Sequence, residues 1–266
     1  MKRGIAPPAS SSEPTRARPT FPVRLAPMSS NASVKQPASA PALRSAPVVA
    51  VGADEGRAAR MAMVDKLQAQ GLSDAALIAA LQSVPRHRFV DSALANQAYE
   101  DTSLPLGLGQ TISKPNVVAR MLALLCQGGN RPLGRVLEVG TGCGYQAALL
   151  SHLAQEVYSI ERLRALHERA RHNLRALRRP NLHLLLGDGL LGYAAGAPYA
   201  AIIVAAGGPE LAPAWIDQLA PGGRLVAPLE GQAQRQRLVV IDKTASGVRR
   251  TELEAVLFVP IKSGVE

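Results

Sequence analysis

The run Val136-Leu137-Glu138-Val139-Gly140-Thr141-Gly142-Cys143-Gly144-Tyr145 reads as a buried strand that breaks into a glycine turn. Residues 146–153 follow with helical apolar spacing, so the glycines stand at a strand-to-helix junction. Glycine there supplies positive φ and lets a ligand approach the backbone closely. The spacing is G-x-G-x-G, and counted from Gly140 it is Tyr145 that stands where a dinucleotide fingerprint needs its last glycine. The turn therefore favours a ligand other than a dinucleotide.

From this turn onward the chain alternates strand and helix, the pattern of an α/β protein with a parallel sheet. Strands are expected near 135–139, 156–160, 182–186, 199–204 and 224–229, with a helix near 210–219 whose Trp215 reads as a packing residue. Two closing apolar runs, 238–241 and 256–261, flank a polar turn at Ser246-Gly247 and read as an antiparallel pair at the sheet edge. The expectation is a seven-stranded mixed sheet.

Three acids follow strands in this scheme. Glu138 lies in the first strand, Glu161 ends the run Val157-Tyr158-Ser159-Ile160, and Asp188 sits in Gly187-Asp188-Gly189. At the carboxyl ends of neighbouring strands they would line one crevice at the switch point of a doubly wound sheet. Carboxylates there repel phosphates and suit a ligand with a ribose diol, an exocyclic amine and positive charge. S-adenosylmethionine has all three, and its own carboxylate can use the amides at the helix start. The competing reading is three acids merely solvated in loops.

Upstream, residues 57–126 read as a helical extension and a loop. Met63, Val64 and Leu67 share a helix side before Gly71, and Ser73 is the expected cap of a second helix carrying Leu77, Ala80 and Leu81. The segment Leu104-Pro105-Leu106-Gly107-Leu108-Gly109-Gln110-Thr111-Ile112-Ser113 reads as a long irregular loop, and such loops inside a compact domain are usually functional. Ser113 precedes a helical run with Val117, Val118, Met121, Leu122 and Leu125, so an N-cap role stands beside any chemical one.

Composition limits the other classes. Residues 1–56 hold nine of the twenty prolines, and seven lysines and arginines against three acids. This Pro/Ala/Ser-rich basic tail lacks the apolar surface to offset its ordering entropy and is expected to be disordered, with the folded domain spanning 57–266 and its α/β core 135–266. No apolar run reaches the roughly 18 residues a bilayer span needs. Cys126 and Cys143 match no disulfide or metal pattern, which favours a reducing, cytoplasmic setting; Cys143 reads as a small turn residue, with a helix-activated thiol as the alternative. The histidines form no metal or catalytic set. Much of the net charge of +10 falls between Arg162 and Arg179, where a solvated helix face is the default reading and RNA binding the alternative.

Several phrases together carry a family resemblance. Arg88-Phe89-Val90, Leu104-Pro105-Leu106-Gly107, Gly109-Gln110-Thr111-Ile112-Ser113, the glycine turn, Tyr158-Ser159-Ile160-Glu161-Arg162, Gly187-Asp188-Gly189, Gly222-Gly223-Arg224-Leu225 and Phe258-Val259-Pro260 resemble the protein-L-isoaspartate O-methyltransferase family in order and spacing. The resemblance covers about residues 57–262. It implies a Rossmann-like class I methyltransferase fold with helices on both sheet faces, S-adenosylmethionine as co-substrate and no metal. It also implies methylation of the α-carboxylate of isoaspartyl residues, followed by succinimide closure and partial return to aspartate. Isoaspartyl peptides and unfolded or aged proteins are the implied partners, with neither a membrane nor a nucleic acid among them.

By the same resemblance Ser113 is the active-site residue, and Gln110, Thr111 and Ile112 flank it at the donor and peptide site. Gly140 and Gly142 lie under the methionine part, Glu161 holds the ribose, and Asp188 with Gly189 faces the adenine; Glu138 is counted with the donor site from its place in the strand. The chain departs from the family at Ala200 (usually Asp), Ala205 (usually Thr), Cys143 (commonly Ser) and Leu229-Glu230-Gly231. A methyltransferase of the same fold acting on RNA or a small molecule, and a non-catalytic binding module, are the competing readings.

Overall fold

The computed structural model describes residues 53–127, 131–231 and 235–266 of the 266. The tail expected over residues 1–56 lies outside the described residues as far as residue 52, while residues 53–56 already belong to the first helix, α1 (Ala53–Ala69). Gly71, at φ 102°, ends the turn after it. The second helix, α2 (Ala75–Ser83), is capped by Asp74 rather than Ser73: the Asp74 carboxylate accepts from the amide of Leu77 at 2.9 Å and is also paired with Arg131.

Where a long irregular loop was expected, the chain forms a hairpin of β1 (Leu104–Gly107) and β2 (Gln110–Ile112). Its tip is Gly107-Leu108-Gly109, all three at positive φ, which the two glycines supply without strain. Helix α3 (Pro115–Cys126) then begins one residue later than a Ser113 cap would require. Pro115 fits the first helical position, and the Asp101 carboxylate, from before the hairpin, accepts from the Asn116 amide at 3.0 Å. Ser113 is thereby released from capping.

The main sheet comprises β3 (Leu133–Val139), β4 (Ala154–Glu161), β5 (Leu182–Leu186), β6 (Tyr199–Val204), β7 (Leu219–Glu230), β8 (Gln236–Thr244) and β9 (Gly247–Ala255), in the order β5-β4-β3-β6-β7-β8-β9. The first five are mutually parallel, and β7-β8-β9 are antiparallel. The expected closing strand at 256–261 is a correction: the pairing partner of β8 is β9, and residues 256–261 run on as an open segment bridged at Gly207 and Pro260.

Alternation along the strands divides the core in two. Val136, Val157, Ala201 and Ile203 pack with Met121 and Leu122 of α3, Leu149 of α4 (Tyr145–Leu153) and Leu166 of α5 (Arg164–Arg175). Leu137, Ile160, Ile202 and Val204 pack on the other face with Trp215 of α6 (Pro213–Gln218). A period of two in the strands thus buries both faces under helices, as a parallel sheet requires. Beside β3 the chain reverses its direction of winding, since β4 and β6 lie on its two sides, and this switch point opens the site.

Candidate active site

Above the carboxyl end of β3 the turn residues Gly140, Gly142 and Gly144 all have positive φ, at 94°, 56° and 92°. The conformation is held from outside: the Asn173 side chain donates to the Cys143 carbonyl at 2.9 Å. The hairpin lies over the turn, its Leu106 carbonyl accepting from Arg169 of α5 at 2.9 Å. These contacts bring the Gln110-Thr111-Ile112-Ser113 phrase, some thirty residues upstream in sequence, against Gly140, Thr141 and Gly142.

Two hollows meet there. A crevice of about 110 Å³ is lined by the hairpin phrase, the glycine turn, Glu161, Gly189 and residues 259–262. A groove of about 920 Å³ runs from Ser113 along α3, past Lys114 and Arg120, between the α1–α2 junction and residues 254–259. Thr111, Ser113, Ala205 and Val259 line both. A group bound in the crevice and a group bound in the groove can therefore meet at Ser113 and at no other polar side chain but Thr111.

The sequence-predicted residues separate into those that face the crevice and those that do not. Gln110, Thr111, Ile112, Ser113, Gly140, Gly142, Glu161 and Gly189 line it. The Glu161 carboxylate accepts from the Gly142 amide at 2.8 Å and the Leu163 amide at 3.0 Å, which leaves lone pairs for a ligand diol. Gly189 leaves room that a side chain would take: a Cβ there would lie 2.4 Å from Cγ1 of Val139. Asp188 stands at the edge, half-buried, accepting from the amides of Leu190 at 2.9 Å and Gly264 at 2.7 Å.

Glu138 does not reach the crevice. It is fully buried beneath the turn, where Ser159 donates to its carboxyl at 2.5 Å and Thr141 stands 2.6 Å from Ser159. Burial, opposed by the bond from Ser159, pushes its pKa up to about 8. Its alternation in β3 explains the miss: a strand residue two before the turn points into the layer under the turn, not past it. Burial likewise raises the Cys143 thiol, so the turn cysteine is a packed neutral group rather than an activated thiolate.

The family model for protein-L-isoaspartate(D-aspartate) O-methyltransferases matches residues 58–266. The chain belongs to this family. It is 58% identical over 212 residues to the protein-L-isoaspartate O-methyltransferase of Methylibium petroleiphilum, an alignment covering 78% of each chain. With the enzyme of the same name from Leptothrix cholodnii it shares 59% over 208 residues, 77% of this chain and 74% of that one. Among solved structures, a protein-L-isoaspartate O-methyltransferase superposes with a TM-score of 0.70 at 28% identity, covering 77% of this chain and 67% of the other. A Plasmodium falciparum β-aspartate methyltransferase bound to S-adenosyl-L-homocysteine superposes at 0.68 and shares the fold at 24% identity, covering 76% and 98%.

Sequence reading missed two contributors that only the fold reveals. Arg86 is fully buried behind the hairpin, donating to the Ser113 carbonyl at 2.7 Å. Residues 262–266 lie across the ends of β4 and β5: the Glu266 amide donates to the Arg162 carbonyl at 2.9 Å, the Arg164 amide to the Glu266 carbonyl at 2.7 Å, and Arg162 pairs with the Glu266 carboxylate at 2.9 Å. No apolar periodicity marks either one. The phrase Pro85-Arg86-His87-Arg88-Phe89-Val90, next to Arg88-Phe89-Val90 of the family resemblance, was the available signal for the first.

Proposed function

We propose that the junction at Ser113 is where this methyltransferase joins donor to acceptor, with S-adenosylmethionine in the crevice and an isoaspartyl polypeptide in the groove. Family membership makes the reaction transfer of a methyl group to the α-carboxylate of L-isoaspartyl residues, the first step of repair. The observation that carries the residue assignment is the sharing of Thr111, Ser113, Ala205 and Val259 by both hollows. The groove's volume of about 920 Å³, open along α3, suits a polypeptide segment.

The donor supplies an electrophilic methyl group on a positively charged sulfur. The acceptor carboxyl, which like any aspartyl-type acid titrates near about 3.9, is ionised at neutral pH and needs no general base. As the new O–C bond forms and the S–C bond breaks, its electron pair stays on sulfur, and both charges disappear. Catalysis then rests on aligning the reacting atoms and excluding water. In this assignment the Ser113 hydroxyl donates to one carboxylate oxygen while the other attacks, and Gln110, Thr111 and Ile112 wall the passage. Glu161 accepts from the ribose hydroxyls, Gly140 and Gly142 admit the methionine part, and Asp188 with Gly189 borders the adenine.

The arginine-rich end of α5, with Arg171, Arg175 and Arg178, opens on a separate hollow that shares no lining residue with the crevice or the groove. The arginine cluster is thus separate from the lining around Ser113, which favours a polypeptide over a nucleic acid as substrate. No helix among the described residues is long and apolar enough to cross a membrane. Two buried free thiols suit a reducing compartment, and we assign the cytoplasm on that ground.

Labelled S-adenosylmethionine offered with paired peptides differing only in isoaspartate versus aspartate tests the assignment. Wild type should give base-labile label on the isoaspartyl peptide alone. Ser113→Ala should lower turnover roughly 100-fold, the low end of the range for losing one oriented donor at a reacting oxyanion, with donor affinity kept. Loss of donor affinity with intact turnover would place Ser113 outside the transfer step.

A further inference from the structure

Arg86 is a buried cation without a counter-ion. It opens the 3-10 turn Arg86–Phe89, and none of its surface reaches solvent. Nε donates to the Ala98 carbonyl at 2.8 Å and Nη2 to the Ser113 carbonyl at 2.7 Å, while the guanidinium carbon lies 4.8 Å from the centre of the Tyr145 ring. The equally buried Tyr145 hydroxyl faces the guanidinium, and among the described residues Nη1 has no other hydrogen-bond partner. Among the described residues no carboxylate forms an ion pair with it.

Such an arrangement is unfavourable by itself, because a desolvated charge is retained at low cost only when an opposite charge or a full set of acceptors compensates it. Two carbonyls and a ring face compensate this one in part. Holding two loop carbonyls together needs no charge; a neutral amide would do it. The excess positive potential lies directly behind Ser113, where in our assignment the acceptor carboxylate comes to rest. That carboxylate is negative on arrival and neutral on departure.

We infer that Arg86 is the positioning residue of the acceptor site: through the Ser113 carbonyl and the Tyr145 ring it fixes the hairpin phrase against the donor turn, and its unpaired charge selects the ionised acceptor. The inference rests on the assignment of Ser113. It also gives product release a driving force, since methylation removes the charge that Arg86 attracts. The guanidinium forms no bond and exchanges no proton in the reaction.

The test compares the isoaspartyl peptide with the same peptide carrying an α-carboxamide in place of the α-carboxylate, both as ligands of the donor-loaded enzyme. Wild type should bind the carboxylate at least tenfold more tightly than the amide. Arg86→Met should erase most of that preference while weakening amide binding less than threefold. Arg86→Lys, which keeps the charge and loses the fork, should keep the preference, leave donor affinity within threefold and lower kcat about tenfold.

Equal weakening of both peptides, or a wild type indifferent to the charge, would overturn the inference and leave Arg86 a scaffold residue. Should Arg86→Met not fold, the Lys variant decides through its kcat: unchanged turnover contradicts positioning. Ser113→Ala run alongside separates the two assignments. Unchanged turnover there removes the Ser113 role, whereas the difference in carboxylate preference between wild type and Arg86→Met, with Ser113, Lys114 and Arg120 common to both, reports on Arg86.

Discussion

Glu138 holds a carboxyl group where water cannot reach it, bonded to Ser159 and lying under the turn that receives the donor. Its pKa of about 8 against an ordinary 4.5 means that the folded protein keeps it protonated while the unfolded chain ionises. Between those two values the unfolded state binds fewer protons, so this group lowers stability as pH rises from about 4.5 to about 8 and has no such effect below 4.5. Glu138→Gln, which mimics the protonated form, should therefore stabilise the protein at pH 8 by an amount on the order of a few kcal/mol that vanishes toward pH 4.5. Urea unfolding at the two pH values checks it, and a gain that does not depend on pH would show that the glutamate is ionised when folded. At this scale sequence reading went as far as residue type: it found Glu138, Glu161 and Asp188 at strand ends but could not tell which carboxylate faces the ligand, because one step along a strand reverses the side chain.

Elements are tied to one another by few but well-placed charges. Arg224 of β7 grips Asp242 of β8 with two bonds, Nε to Oδ1 at 2.7 Å and Nη2 to Oδ2 at 3.2 Å, and its third nitrogen reaches the Leu124 carbonyl of α3 at 3.0 Å. The fork thus joins the antiparallel end of the sheet to the helix that Ser113 precedes. The Arg224 hydrogen bonds hold the Asp242 carboxyl below its ordinary 3.8, so their contribution is present at neutral pH and is lost as pH falls through the folded value. Asp242→Asn should cost roughly 1–2 kcal/mol at pH 7 and progressively less in acid, since charge-assisted bonds outweigh neutral ones by about that much. Thermal melts of both proteins from pH 7 to pH 3 measure it; a constant gap would exclude the ionised pair.

Most elements were legible from the period of their apolar residues, and the exceptions have physical reasons. β9 is charged on both faces, Arg249, Arg250, Glu252 and Glu254 among its nine residues, as an edge strand that must resist further pairing tends to be. The run 256–261 is apolar without being a strand because it forms a lip of both hollows. The hairpin Leu104–Gly107 and Gln110–Ile112 is too short and too rich in glycine for any period to show, and Ser113 could be read as a cap because nothing nearby in sequence announces that Asp101 does that work.

Taken as a whole, the described chain closes over the crevice assigned to the donor. The crevice of about 110 Å³ is well below the roughly 300–1,000 Å³ typical of small-molecule pockets. One wall is formed by residues 259–262, which lead into the segment 262–266 strapped across β4 and β5. The Gly264 amide occupies an oxygen of Asp188, the acid assigned to the adenine. As at Glu161, that oxygen keeps a second lone pair; it is as a wall of the crevice that residues 259–262 and the strap they lead into have to shift when the crevice widens. Its other bonds are exposed at the Glu266 end, where a surface ion pair contributes at most about 1 kcal/mol, so the segment can open without unfolding the sheet. Saturating S-adenosylhomocysteine should accordingly speed hydrogen exchange at the Gly264 amide while slowing exchange through the glycine turn. Slower exchange at both places would mean that the strap stays down over the ligand.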